Sequence, residues 1–290
     1  DGSTEGQKIV TSSISLDLME LDGKVRPVEI VDEILRQNPN MPYPIPLEEL
    51  AAVVGIQSID ELVTEGFEGM LMTNPEKSHG VILVKANANP QRRRFTIGHE
   101  LGHYLLPWHR QLKFSCTSEN IRDSSTAPKA TRVIEMEAEA NAFASELLMP
   151  TVAFKKLQRA AGEPDIEQVV KLAARFDSSI EATARRFMNL SDYPVAFVFS
   201  HNDTIRYWAR GPEFPYLLNV RKGQHLPKQS SSIENGDGIG EMAELDGVVW
   251  LSDERGLHLP DSILEQTLFQ NDGYKVTMLY VEDIPEEYDE

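Results

Sequence analysis

The stretch RRRFTIGHELGHYLLPWH, residues 92–109, sets two histidines four apart, His99 and His103, with Glu100 directly after the first and His109 six residues beyond the second. On an α-helix, residues four apart share one face and lie about 6 Å apart along the axis, so both imidazoles can reach one Zn²⁺. Glu100 then stands where a carboxylate can hold a metal-bound water and take its proton, the arrangement of an HExxH hydrolase. Ile97, Leu101, Tyr104 and Leu105 form the opposite, apolar stripe and predict how the helix seats on a core. With 7 histidines in 290 residues, composition alone would produce this spacing in about one or two chains in a hundred, so the pattern is specific.

A catalytic zinc site takes three protein ligands and leaves a fourth position to water. Two residues compete to be the third. His109 falls where the metzincin pattern HExxHxxGxxH has its last histidine, but that pattern bends at a glycine. Here Leu106 and Pro107 follow, and a left-handed turn at leucine costs about 1–2 kcal/mol. The rival is the run EMEAEANAFASELLMP, residues 135–150, a second helix closed by Pro150. Its alanines at 138, 140, 142 and 144 suit close approach to Gly98 and Gly102. Glu137 and Asn141 share a face, so Glu137 is the favoured ligand and Asn141 the support of a ligating histidine. Glu135 and Glu139 read as solvent-facing carboxylates.

The rest of the chain predicts an α+β protein. VEIVDEILRQ and PLEELAAVVGI have helical spacing, the latter ended by Gly55. FEGMLMT and HGVILVKAN read as strands joined by a turn, with residues 81–85 as the edge for an extended substrate. Two helices follow in IEQVVKLAARFDSSIEATARRFMNL, the second capped by Asp177 or Ser178. They resemble a helix-turn-helix but carry only Arg185 and Arg186 near the end, so paired core helices are the favoured reading. Beyond Leu190, PVAFVFS, TIRYWAR, GVVWLS and YKVTMLYV are short β-like runs between Gly/Ser/Pro-rich loops. The expected organisation is a disordered start (1–14), a metallopeptidase domain with a helical extension (15–191), a second α+β domain (192–281) and an acidic tail (282–290).

The two motifs together, RRRFTIGHELGHYLL and EMEAEANAFASELLMP, closely resemble the ImmA/IrrE family of zinc-dependent peptidases. The resemblance runs roughly over residues 28–190 and includes the hairpin FEGMLMTNPEKSHGVILVKAN and the LAARFDSSIEATARRF helices. It implies a gluzincin-like HExxH peptidase with His99, His103 and Glu137 as zinc ligands and Glu100 as base. It also implies limited cleavage of a partner, typically a helix-turn-helix transcriptional repressor, that turns genes on. The C-terminal domain departs from the minimal family pattern and resembles the GAF-like sensor of some members. Among these the chain looks most like the CapP-type peptidases of antiviral signalling operons, which respond to single-stranded DNA.

Net charge is −18, and from Tyr193 onward 18 acidic residues face 7 basic ones. Such a chain is a poor general ligand for nucleic acid, so DNA contact would need a local basic patch such as Arg92, Arg93 and Arg94. No apolar run approaches the ~18 residues of a membrane span, and the polar start lacks a signal-peptide core, so a cytoplasmic location is expected. One cysteine, Cys116, excludes an internal disulfide framework. It either packs its loop or reaches the fourth zinc position as an inhibitory ligand, since thiolate binds zinc better than water. Tyr104 and His109 are candidates to contact the oxyanion or substrate. Two rival functions are a DNA-binding transcriptional regulator with a non-catalytic metal site and a small-molecule hydrolase. Glu100 argues against the first, because a structural site needs no base.

Overall fold

The computed structural model describes residues 14–63, 66–110, 113–116, 132–233, 236–252 and 258–282, with the backbone alone at 113–116. Most of the stretches expected to be disordered or an acidic tail lie outside the described residues, although Ile14 is described and buried. The chain divides into two compact units, Asp1–Pro150 and Thr151–Glu290.

In the first unit, α1 (Pro27–Gln37) opens with proline, whose missing N–H is no loss at a helix start, and Glu29 accepts from the Arg26 N–H at 3.1 Å. It buries Ile30, Val31 and Ile34. Helix α2 (Leu47–Val54) stops at Gly55, whose φ of +106° is open to glycine at little cost, and the chain passes at once into β1 (Ile56–Leu62). Strands β2 (Gly69–Thr73) and β3 (Gly80–Lys85) form the expected hairpin, and β4 (Lys113–Cys116) adds to β2. The sheet order is β1-β3-β2-β4, with β1 parallel to β3 and the other pairs antiparallel.

That order overturns the expectation that residues 81–85 form a free edge. Strand β3 is enclosed on both sides, and among the described residues the edges are β1 and β4. The pattern of IQSIDEL conceals β1 because only Ile56 of that strand is buried, so a largely solvated edge strand has no apolar alternation to read.

Two more helices complete this unit. Helix α3 (Pro90–Leu105), capped by Asn89, packs on β2 and β3; α4 (Arg132–Leu148) packs on α3 and on α1. Burying Ile97 and Leu101 entirely, as here, stabilises by about 1.5–3 kcal/mol each. At the α3–α4 crossing a Cβ on Gly98 would stand 3.4 Å from Ala144 Cα, and one on Gly102 3.1 Å from Ala140 Cα. Small residues on both helices therefore let the backbones meet.

The second unit contains α5 (Thr151–Ala161), α6 (Ile166–Phe176) and α7 (Ile180–Leu190) together with a six-stranded sheet. The sequence set the domain boundary near Asp192. In the structure the three helices group instead with the C-terminal strands, because α7 packs on the first two strands and Ile166 N–H donates to Gln266 at 2.7 Å. The cap of α7 is Ser179, whose hydroxyl accepts from Ala182 N–H. Asp177, one of the two residues expected there, is instead the left-handed C-cap of α6.

The sheet comprises β5 (Val195–His201), β6 (Thr204–Arg210), β8 (Gly238–Ile239), β9 (Ala243–Asp246), β11 (Ser262–Phe269) and β12 (Tyr274–Tyr280), all antiparallel. Its order is β6-β5-β12-β11-β8, with β9 also on β11. A separate pair joins β7 (Leu217–Leu218) to β10 (Leu251–Ser252), so only two residues of the expected GVVWLS strand are extended. The preceding Gly247–Val249 forms a 3₁₀ turn capped by Asp246. Trp250, Phe214 and Tyr216 anchor the core here. No described helix is long and apolar enough to cross a membrane.

Candidate metal centre

The two histidines of α3 and one carboxylate of α4 meet in the interior. His99 Nε2 and His103 Nε2 are 3.1 Å apart; Glu137 Oε2 lies 3.4 Å from the first and Oε1 3.3 Å from the second. A tetrahedral zinc site with ligand bonds of about 2.0–2.1 Å has edges of about 3.3–3.4 Å, so the donor set fits zinc. His99, His103 and Glu137 are the group among the described residues whose ligand atoms converge in this way. The close α3–α4 approach makes it possible: with a larger residue at Gly102, where a Cβ would stand 3.1 Å from Ala140 Cα, the helices would have to part and Glu137 would stand further from the imidazoles.

Electrostatics favours the metal-binding forms. Burial pushes the Glu137 carboxyl up, but hydrogen bonding and charge from His103 and His99 outweigh it and hold it at about 2. Burial lowers His103 to about 4 against the pull of Glu137, and lowers His109 to about 3 with help from the His103 charge. Neutral imidazoles and an ionised carboxylate are the species that a divalent cation takes.

The neighbours of the three ligands hold them in place. His99 Nδ1 is 3.0 Å from Asn141 Oδ1, so the ring N–H faces Asn141 and Nε2 keeps its lone pair. Glu100 is fully buried. Against it lies Gly69 of β2, where an added Cβ would stand 2.7 Å from Glu100 Oε1. Lys77, in the β2–β3 turn, donates from Nζ to the carbonyl oxygens of His103 at 2.8 Å and Leu106 at 2.9 Å. This cation satisfies the free carbonyls and the negative pole at the end of α3, and burial, then Arg110, lowers it to about 8.

Several candidates take other places than those expected. Tyr104 is 4% exposed and donates its hydroxyl to Lys77 O at 2.6 Å, so it ties α3 to the turn. His109 is fully buried behind His103 and outside the converging ligand set, which favours Glu137 over it as the third ligand. Glu135 is exposed, as expected, but Glu139 turns inward to His109 Nε2 at 3.1 Å. The thiol of Cys116 lies outside the described residues; its backbone pairs with Gly69. Gly69 and Lys77 went unnoticed in the sequence, where a single glycine or lysine carries no signal of a contact so distant along the chain.

Arg185 and Arg186 of the helix-turn-helix-like segment are both engaged within their own unit. The Arg185 guanidinium lies 4.6 Å from the Tyr207 ring, and Arg186 donates to Thr151 Oγ1 at 2.9 Å. Buried Phe187 and Phe176 mark α6 and α7 as core helices.

Residues 65–188 match the model of the peptidase M78 family, described as the IrrE N-terminal-like domain. Two curated proteins, each named radiation response metalloprotease IrrE, are similar over 122 residues, or 42% of this chain. The one from Deinococcus radiodurans is 28% identical and covered over 35% of its length; the one from Deinococcus deserti is 29% identical and covered over 41%. The chain thus spans well under half of either relative. A solved structure described as a Mycobacterium tuberculosis transcriptional regulator aligns over 88% of this chain and 75% of its own, at a TM-score of 0.49 and 14% identity, too distant to carry an argument. The matched residues contain His99, Glu100, His103 and Glu137 on their two crossed helices, and over residues 65–188 the chain carries a domain of the ImmA/IrrE type found in M78 peptidases.

Proposed function

We propose that this chain is a zinc-dependent endopeptidase of the cytoplasm that makes a regulated cleavage in a partner protein. The observation that carries the reading is the convergence of His99, His103 and Glu137 with a buried carboxylate, Glu100, next to the first ligand. Bound zinc would supply Lewis acidity and a water acidic enough to deprotonate near neutral pH. Glu100 would accept that proton on its carboxylate and later pass it to the leaving amine. Asn141 orients His99, and the wall at Gly69 limits where the Glu100 carboxylate can go. An extended substrate would add to the outer edge of β4, since β3 is enclosed.

The partner we propose is a helix-turn-helix transcriptional repressor whose cleavage induces stress or antiviral genes. Residues 192–281 are the proposed sensor, a GAF-like module built on the antiparallel sheet of the second unit. Single-stranded DNA as its activator and a CapP-type role rest on the sequence resemblance alone. Cys116 is the proposed inhibitory zinc ligand, supported by the pairing of its backbone with Gly69, which abuts Glu100. Cys116→Ser would then cleave without the activating signal; signal dependence equal to the parent's would return Cys116 to a packing role.

The test of the main reading is Glu100→Gln. It should keep stoichiometric zinc and lower cleavage of the partner by about 10²–10⁴-fold, the usual worth of a positioned base. If gene induction in cells survives in this variant, the rival holds: a DNA-binding regulator with a non-catalytic metal site.

A further inference from the structure

Behind His103 stands a chain of groups that the ligand set does not include. His103 Nδ1 is 2.9 Å from His109 Nδ1, and His109 Nε2 is 3.1 Å from Glu139 Oε2. His109 is fully buried and reaches this position because the chain folds back after α3. Its own N–H donates to Leu106 O, Lys77 holds that same carbonyl, and the Trp108 ring packs edge-on against it at 4.6 Å. Two nitrogens 2.9 Å apart bond only when one carries a hydrogen and the other a lone pair.

For His103 Nε2 to ligate, its hydrogen must sit on Nδ1 and point at His109. His109 Nδ1 must then be bare and its hydrogen on Nε2, where the Glu139 carboxylate accepts it. The opposite arrangement would put a hydrogen on His103 Nε2, against the ligand position, and would set two lone pairs, His109 Nε2 and Glu139 Oε2, facing each other. We propose that Glu139 and His109 act as a two-link positioning relay that sets the tautomer and ring orientation of His103. His99 has the same need met in one step, by the fixed oxygen of Asn141.

The inference rests on the metal-site reading above and predicts something separate from it. In the full chain, zinc affinity is measured by competition with a chelator of known affinity. His109→Leu and Glu139→Ala should each weaken zinc by about 10–100-fold, the range for outer-shell partners of a ligating histidine. His109→Asn puts a permanent acceptor near the Nδ1 position and should stay within about threefold of the parent. In that background, adding Glu139→Ala should cost nothing further, because the oxygen needs no partner to set its state. Nitrogen NMR of the parent should report the Nδ1–H form of His103 and the Nε2–H form of His109. Glu139 is partly exposed, so its variant remains informative if His109→Leu does not fold. Tight zinc in both His109→Leu and Glu139→Ala overturns the relay and leaves the metal site standing. So does a loss in His109→Asn as large as in His109→Leu. A parent chain that binds no zinc overturns both.

Discussion

Gly69 of β2 lies against the Glu100 carboxylate, since a Cβ added there would stand 2.7 Å from Glu100 Oε1 and closer still to Thr96 Cγ2. Gly69→Ala must therefore displace the proposed base or its neighbour. A misplacement near 1 Å in a catalytic group costs on the order of 10²-fold, so cleavage should fall about 10–100-fold while zinc content stays stoichiometric. Metal analysis beside an activity assay checks both halves, and parental activity would refute the contact's importance.

Glu137→Ala should lose zinc more severely than either variant of the relay, because it removes a ligand and not the support of one. Glu135→Ala, two residues away on another face of the helix and exposed, should bind zinc like the parent. Metal content of the purified proteins after dialysis separates the cases. Stoichiometric zinc in Glu137→Ala would sink the ligand assignment.

The two glycines of α3 should respond differently to alanine. Each substitution gains up to about 1 kcal/mol of helix propensity. A Cβ at Gly98 meets Ala144 at 3.4 Å, an ordinary contact, so Gly98→Ala should be neutral or slightly stabilising. At Gly102 it meets Ala140 Cα and Phe143 Cβ at 3.1 Å each, and overpacking of about 1–3 kcal/mol should outweigh the gain. Denaturant melts of both variants test the order, which would be wrong if Gly102→Ala were the more stable.

Acid should weaken α1 through Glu33. Hydrogen bonds from Arg36 and then Gln37 hold its carboxyl at about 2, below the usual 4.5. A carboxyl depressed in the folded state contributes stability above its unfolded value, and loses that contribution as pH falls from about 4.5 through about 2. Glu33→Gln should therefore flatten the stability profile between pH 4.5 and 2 relative to the parent. Superimposable profiles would show that the cluster contributes nothing, as exposed pairs often do.

In the second unit Glu265 is fully buried, accepts Trp250 Nε1 at 2.6 Å on one oxygen, and accepts Ser230, Ser231 and Ser232 donors on the other. Glu265→Ala strands these donors and should cost about 2–4 kcal/mol. Glu265→Gln, with the same shape, should cost less. Trp250 emission during urea unfolding reports the loss, and equal stability of alanine variant and parent would contradict it.

Local periodicity made the metal-bearing helices legible: the spacing of His99 and His103 is a property of one α-helix, and the alanine-rich face of the second helix needed only Gly98 and Gly102 to explain it. The hairpin of β2 and β3 was readable for the same reason, as was the stop at Gly55. By itself the sequence thus determined the identity of the chemistry-bearing elements.

Which residues surround the site was decided by contacts between positions far apart in the chain. Lys77 reaches His103 across 26 residues and His109 reaches Glu139 across 30, and no local pattern encodes either. Burial was misleading wherever polar residues lie inside. The central strand β11, SILEQTLF, buries Glu265 and Gln266 and so lacks the apolar signature of a core strand. Strand β1 shows the converse, an edge strand mostly in water. A helix is stabilised by bonds within one segment and writes its period into that segment. A strand, and a side chain that supports another from behind, depend on partners that only the folded chain brings within reach.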